Sequence, residues 1–194
     1  MAFSPDGNTV ATASNDKSVK LWNLQGQVIK TLSGHGEKVY GVAFSPDGNT
    51  IASASYDKTV KLWNLQGQVI KTLTGHGDRV IDVAFSPDGN TIASASWDKT
   101  VKLWNLQGQE IKTLTGHGEA VYSVAFSPDG NTIASAGWDN TVKLWNLQGQ
   151  EIKTLAGHGN GVKSVAFSPD GNTIASASGD KSVKLWNLQG QVIK

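Results

Sequence analysis

The chain has no cysteine among its 194 residues, which removes disulfides, thiolate metal centres and cysteine nucleophiles and leaves the compartment open. Charge is scarce: 17% of residues are charged, against about a quarter in an average domain. The formal net charge is +1, and no run is rich in lysine or arginine. Nothing therefore draws the chain to nucleic acid or to an anionic membrane. No apolar stretch is long enough to cross a bilayer and no signal-peptide pattern is present. The short motifs of common enzymes are missing too: no Gly-rich phosphate loop, no Gly-x-Ser-x-Gly, no His-Glu-x-x-His. The expectation is a cytoplasmic, soluble protein without a cofactor, bound to neither membrane nor nucleic acid.

What the chain has in abundance is repetition. Phe3, Phe44, Phe85, Phe126 and Phe167 each open the string Phe-Ser-Pro-Asp-Gly-Asn-Thr, 41 residues apart, and the 22 glycines follow from turns used again and again. A period in the range of roughly 20–50 residues marks an array of one supersecondary unit. A residue present in every copy is expected to hold the copy together, so recognition is sought where copies differ. The first copy lacks the stretch corresponding to Thr31–Gly41, and Met1 stands where Val42, Val83, Val124 and Val165 stand in the others. The expectation is an excerpt of a longer array.

One copy reads as four short strands. Val39–Phe44 is a β-favouring run, and Ser45-Pro46-Asp47-Gly48-Asn49 supplies a turn with Pro preset and Gly free to take positive φ. Thr50–Ser55 is a second strand of small and β-branched residues. Tyr56-Asp57-Lys58 turns, Thr59–Trp63 alternates as a half-buried strand, Asn64–Gln68 turns again and Val69–Leu73 is the fourth. Such a meander cannot bury its faces alone and must stack on copies of itself. Blades are expected over about 1–32, 38–73, 79–114, 120–155 and 161–194.

Gly34-His35, Asp57 and Trp63 at these spacings, repeated in later copies, resemble the WD-repeat β-propellers, whose blades carry a Gly-His … Trp-Asp signature. The near-identity of the copies is similar to the recently amplified members of that family. One departure is that the closing dipeptide is Trp-Asn, as in Trp63-Asn64. The resemblance implies an all-β propeller of five four-stranded antiparallel blades that acts as a non-enzymatic protein-interaction scaffold. It also implies a hydrogen-bonded chain of His, Asp, hydroxyl and Trp within each blade. The matching residues are His35, Asp57, Ser53 and Trp63 in blade 2, and His76, Asp98, Ser94 and Trp104 in blade 3. Blade 4 matches with His117, Asp139, Ser135 and Trp145, and blade 5 with His158, Asp180, Ser176 and Trp186. The Ser53 position keeps a hydroxyl in all five copies, whereas the Ser55 position has Gly137 in blade 4, which favours the former as the bonded hydroxyl. Blade 1 has Thr12, Asp16 and Trp22 but no His, so its chain is expected to be incomplete.

Four equivalent histidines spread around an array do not converge as an active site or metal centre must, and the Asp-Gly-Asn-Thr turns lack the spaced carboxylates of a calcium loop. The copies differ chiefly at Asn15/Tyr56/Trp97/Trp138/Gly179 and where the first strand begins, at Lys38/Tyr40, Arg79/Ile81, Ala120/Tyr122 and Gly161/Lys163. By the family's geometry these sets surround one mouth of the central channel. Lys38, Tyr40, Tyr56, Arg79, Ile81, Trp97, Tyr122, Trp138 and Lys163 are the expected protein-binding face, since aromatics beside cations are typical of hot spots. Drift at unconstrained turns would more often leave polar residues, and packing between blade tops is the remaining alternative. Val28/Val69/Glu110/Glu151 reads as drift.

Blades 1 and 5 offer no polar cap. At the roughly 51° per blade of a seven-bladed ring, five blades leave a gap of about 103°. Self-association, as a homodimer, is expected to cover the ends and complete the ring. The other reading of function follows: a self-assembling propeller fragment whose main partner is another copy of itself.

Overall fold

The computed structural model describes all 194 residues and contains only strands and turns. Blade 1 holds β1 (Ala2–Phe3), β2 (Thr9–Ala13), β3 (Ser18–Asn23) and β4 (Val28–Ser33). Blade 2 holds β5 (Val39–Phe44), β6 (Thr50–Ser55), β7 (Thr59–Asn64) and β8 (Val69–Thr74). Blade 3 holds β9 (Val80–Phe85), β10 (Thr91–Ser96), β11 (Thr100–Asn105) and β12 (Glu110–Thr115). Blade 4 holds β13 (Val121–Phe126), β14 (Thr132–Gly137), β15 (Thr141–Asn146) and β16 (Glu151–Ala156). Blade 5 holds β17 (Val162–Phe167), β18 (Thr173–Ser178) and β19 (Val183–Asn187). Each sheet is an antiparallel meander in chain order. No helix is long and apolar enough to cross a membrane.

The fifth blade corrects the expectation of five four-stranded blades. Its fourth strand is reduced to a bridge between Trp186 and Val192, with Ile193 donating to the Leu185 carbonyl and Leu185 donating to that of Lys194. The other outer strands run for six residues and pass a bulge opposite the blade's Trp, as at Leu62/Trp63. After the turn closed by Gln191 too little chain remains to repeat that pairing.

Local chemistry explains the turns. In blade 2 the Ser45 hydroxyl donates to Asp47, whose carboxylate also accepts the Asn49 amide at 3.0 Å. Gly48 sits at φ 74°, where a side chain would be strained. The turn between β6 and β7 puts Lys58 in the left-handed region at φ 69°. The expense of about 1–2 kcal/mol is offset by Asp57, which accepts both the amide and the hydroxyl of Thr59.

Packing between blades follows one template. Ala52, Ala54, Val60, Leu62 and Leu73 of blade 2 meet Val80, Val83, Ile92 and Trp104 of blade 3 in one buried cluster, and the equivalent residues meet at the next two junctions. The alanines of the second strand let neighbouring sheets approach, and the next blade's Trp fills the remaining space. The junction of blades 1 and 2 has the same composition around Ala11, Val19, Leu21 and Leu32. First strands pack against first strands and line the axis; fourth strands are mostly exposed and lie outermost.

The four buried clusters join blades 1 to 2, 2 to 3, 3 to 4 and 4 to 5, and none joins blade 5 to blade 1. Val183 is 64% exposed where Val60, Val101 and Val142 are fully buried, and Val10 and Trp22 are only half-buried where Ile51 and Trp63 are fully buried. The two ends of the array thus show the two unlike halves of the interior junction.

Candidate functional site

The polar residues common to the copies meet inside each blade. In blade 2, His35 Nδ1 lies 2.7 Å from Asp57 Oδ2, His35 Nε2 lies 2.7 Å from Ser53 Oγ, and Trp63 Nε1 donates to that same Oγ at 2.8 Å. With His35 neutral and its proton on Nδ1, every member donates to the next: Trp63 to Ser53, Ser53 to His35, His35 to Asp57. Blades 3, 4 and 5 repeat these distances to within 0.1 Å through His76, Ser94, Asp98 and Trp104, then His117, Ser135, Asp139 and Trp145, then His158, Ser176, Asp180 and Trp186. Burial pushes the Asp57 carboxyl up. Hydrogen bonds from His35, the Thr59 hydroxyl and the Gly36 amide outweigh it and hold the group well below the usual carboxylate range. Asp98 and Asp139 are held the same way. In blade 1 Trp22 donates to Thr12, and no His faces Asp16, which pairs with Lys20 at 3.2 Å instead.

These chains lie within separate blades, and no group of three or more potential metal ligands forms. The residues that differ between copies do converge. Five rings make a continuous belt over the starts of the inner strands: Tyr40 stacks on Tyr56 at 4.7 Å, Tyr56 meets Trp97 at 5.8 Å, Trp97 meets Tyr122 at 6.0 Å and Tyr122 meets Trp138 at 5.4 Å. The Arg79 guanidinium sits 4.6 Å from the Tyr56 ring and 4.7 Å from that of Trp97, a double cation–π contact. Burial and then the bond with Tyr40 push the Tyr56 hydroxyl up to about 12. The indole N–H of Trp97 is buried without an acceptor. Tyr40 and Trp138 stay 49% and 44% exposed at the two ends of the belt, and Lys38 and Lys163 are exposed at the same strand starts. Ile81 departs from the expected face. It is 7% exposed, although the same strand bulge places its counterpart Tyr40 on the belt at 49% exposure, so it offers a partner little surface.

The belt also ties blades together. Trp138 lies against Gly161 of blade 5, so close that any β-carbon there would overlap the indole. Tyr56 faces Arg79 and Trp138 faces Gly161: the larger ring is met by the smaller residue on the next blade.

Three further ties escaped the reading of the sequence. Lys17, Lys58 and Lys99 each reach from the turn beside the tetrad Asp to a carbonyl of the next blade's Gly-His loop, at Gly36, Gly77 and Gly118. The signal was the recurrence of Lys at that turn, broken by Asn140. Asp82 accepts the Val124 amide of blade 4 at 3.1 Å as well as the Val83 amide, and burial pushes its carboxyl up. Glu110 and Glu151, read as drift, pair with Lys102 and Lys143 at 2.8 and 2.9 Å. At partly exposed sites such pairs are worth about 0.2–1 kcal/mol.

Comparison with known proteins matches this architecture. A family model described as "WD domain, G-beta repeat" matches residues 1–23, 26–64, 67–105, 108–146 and 149–187. WD repeat domain-containing protein 83 of Xenopus laevis is 50% identical over 42 residues, which are 21% of this chain and 13% of that protein. The human protein of the same name is 48% identical over 42 residues with the same coverage, and that of Danio rerio 50% over 38 residues, 19% of this chain and 12% of its own length. Each matched stretch is a small part of the relative. The matched repeats of the family model are out of step with the blades: 26–64 takes its first strand from the outside of blade 1 and its other three from blade 2. Five such units cover nearly the whole chain, and the protein is a member of the WD40 repeat family.

Proposed function

We propose that the chain is a non-enzymatic scaffold that receives a protein partner on the aromatic belt, with the buried tetrads holding blades 2 to 5 and the belt carrying recognition. The observation that carries this reading is the contact of five rings drawn from three blades, at positions where the copies differ. Its exposed ends at Tyr40 and Trp138 and the cations Lys38, Arg79 and Lys163 give the belt the composition of a binding hot spot. Exchanging Tyr56, Trp97 and Trp138 together for Asn tests it, since Asn15 already fills that place in blade 1. The triple variant is expected to remain folded, losing about 0.5–1.5 kcal/mol for each ring pair removed. Partners retained from a host lysate by the parent chain should no longer be retained. A variant that unfolds at ambient temperature would make the rings core, and one that retains the same partners would take recognition away from the belt.

A second reading is favoured by the unlike, uncapped ends. The Ala175, Ala177, Val183 and Leu185 side of blade 5 complements the Val10 and Trp22 side of blade 1 by the template of every interior junction. Such a contact between unlike faces must close into a ring or continue as a filament. Homodimers completing a ring are the expected form. Light scattering over a dilution series should report twice the chain mass at high concentration, and Val183→Glu should lower it to the monomer. A single-chain mass at every concentration would overturn the dimer.

A further inference from the structure

The end of the array opposite the aromatic belt has its own chemistry. The inner strands β5, β9, β13 and β17 start at the belt and finish there with Phe44, Phe85, Phe126 and Phe167. These four rings, with the proline two residues after each, line a concavity of about 430 Å³ at the lower mouth of the channel. The rings are half-buried and the prolines exposed, so the concavity is an open apolar funnel.

Around it stand Asp47, Asp88, Asp129 and Asp170, one from each of blades 2 to 5, all exposed. Each carboxyl is held below its ordinary range first by the serine hydroxyl of its own turn, then by the backbone and side-chain amides of the following asparagine, as Ser45 and Asn49 do for Asp47. None of the four makes an ion pair. Lys30 lines the groove between blades 1 and 2 beside Asp6 and Asp47, whereas no lysine lines the other three grooves; the stems of Lys71 and Lys112 rest on Gly108 and Gly149 of the outer turns. Grooves of about 420–460 Å³ radiate from the funnel between neighbouring blades. The groove between blades 2 and 3 is typical, with Asp47 and Asp88 on its walls, Phe85 and Leu106 along its length.

From this arrangement we infer that the lower face is a second docking surface, which takes a basic peptide segment with a large apolar side chain at its centre. The apolar side chain fills the funnel, and lysine or arginine side chains run outward along the grooves between paired carboxylates. Charge complementarity selects this occupant: an anionic chain or an anionic lipid surface meets four carboxylates that have no ion-pair partner. The tetrads leave this face unused, and the belt lies at the other end of the inner strands.

Fluorescence anisotropy with a labelled Lys-Lys-Phe-Leu-Lys-Lys peptide on the full chain tests the inference. Three controls accompany it: the same peptide with Glu for Lys, one with Ser-Ser at its centre, and a salt series. The basic apolar peptide should bind, and both altered peptides should bind about tenfold more weakly or worse, with affinity falling as salt rises. Asp47→Asn, Asp88→Asn, Asp129→Asn and Asp170→Asn together should weaken binding by about tenfold, since Asn keeps the turn acceptor and removes the charge. If that variant melts early, the pair Asp88→Asn and Asp129→Asn, which neutralises one groove, should still give about a threefold loss. The Tyr56, Trp97 and Trp138 to Asn variant should bind the peptide as the parent does, which separates this surface from the belt. Equal binding of the Glu peptide, unchanged binding by the neutralised variants, or loss in the belt variant would each overturn the assignment.

Discussion

Trp104→Ala is expected to destabilise the chain by about 3–5 kcal/mol, lowering the melting temperature by roughly 6–20 °C. Trp104 is 1% exposed and wedged between blades 2 and 3, against Ala52, Ala54, Val60 and Leu62, while its indole N–H serves Ser94. Removing it opens a cavity at the junction and leaves the Ser94 hydroxyl one donor short. Trp22 is the internal control. It holds the same place in its blade, bonds to Thr12 and faces no neighbouring sheet. Trp22→Ala should cost under about 2 kcal/mol. Thermal melts of the two variants at one protein concentration make the comparison. Equal losses would mean that the Trp stabilises its own sheet and contributes little to the junction.

His76→Ala is expected to cost about 1–3 kcal/mol, because Asp98 loses the His76 partner at 2.7 Å while still enclosed, and Ser94 loses the acceptor for its proton. The loss also changes the pH profile. Asp98 in the parent is held below its ordinary value of 3.8 despite its burial. Its contribution is therefore complete above that pH and disappears as pH falls toward the lower, folded-state value. Without His76 the folded value moves back up, so the acid limb of the variant should be shallower than the parent's. Urea unfolding at pH 7 and pH 3 measures both effects: the gap between parent and variant is expected to narrow at the lower pH. A parent-like stability at pH 7 would remove the tetrad from the list of stabilising features.

The strands were legible because each copy writes its turns in residues whose conformational preferences are strong. Ser-Pro-Asp-Gly-Asn and Asn-Leu-Gln-Gly-Gln bracket runs of alternating pattern, and the strand limits Val39–Phe44 and Thr50–Ser55 are those read from the sequence. The incomplete chain in blade 1 was legible for a related reason, since the periodic His has no counterpart there. The fourth strand of blade 5 was over-read. Pattern marks a strand by its residue types, whereas the structure also requires enough length to pass the bulge opposite Trp186. Ile81 was misplaced because alignment of the copies marks where a residue sits and not how deeply it is covered: its counterpart Tyr40 lies at the same bulge and is 49% exposed, whereas Ile81 is 7% exposed. The lysine ties between blades and the bond from Val124 to Asp82 could not be read from one copy, because each joins residues of different blades.

That all four junctions share one template has a kinetic side. During refolding, a strand such as β6 meets several partners that satisfy its hydrogen bonds and fill its apolar face as well as β7 does, among them copies one or two periods away. Most proteins avoid such traps because wrong pairings are visibly worse than right ones. Here a blade assembled from strands of different periods is penalised mainly by the closure entropy of the longer loop, and each doubling of loop length adds only about 0.6 kcal/mol. Discrimination then falls to the few places where the copies disagree. The contact of Arg79 with Tyr56 favours blade 3 after blade 2, and the match of Trp138 to Gly161 favours blade 5 after blade 4. The rings and their small or cationic counterparts thereby act as sequence-specific keys that set the order of an otherwise interchangeable series.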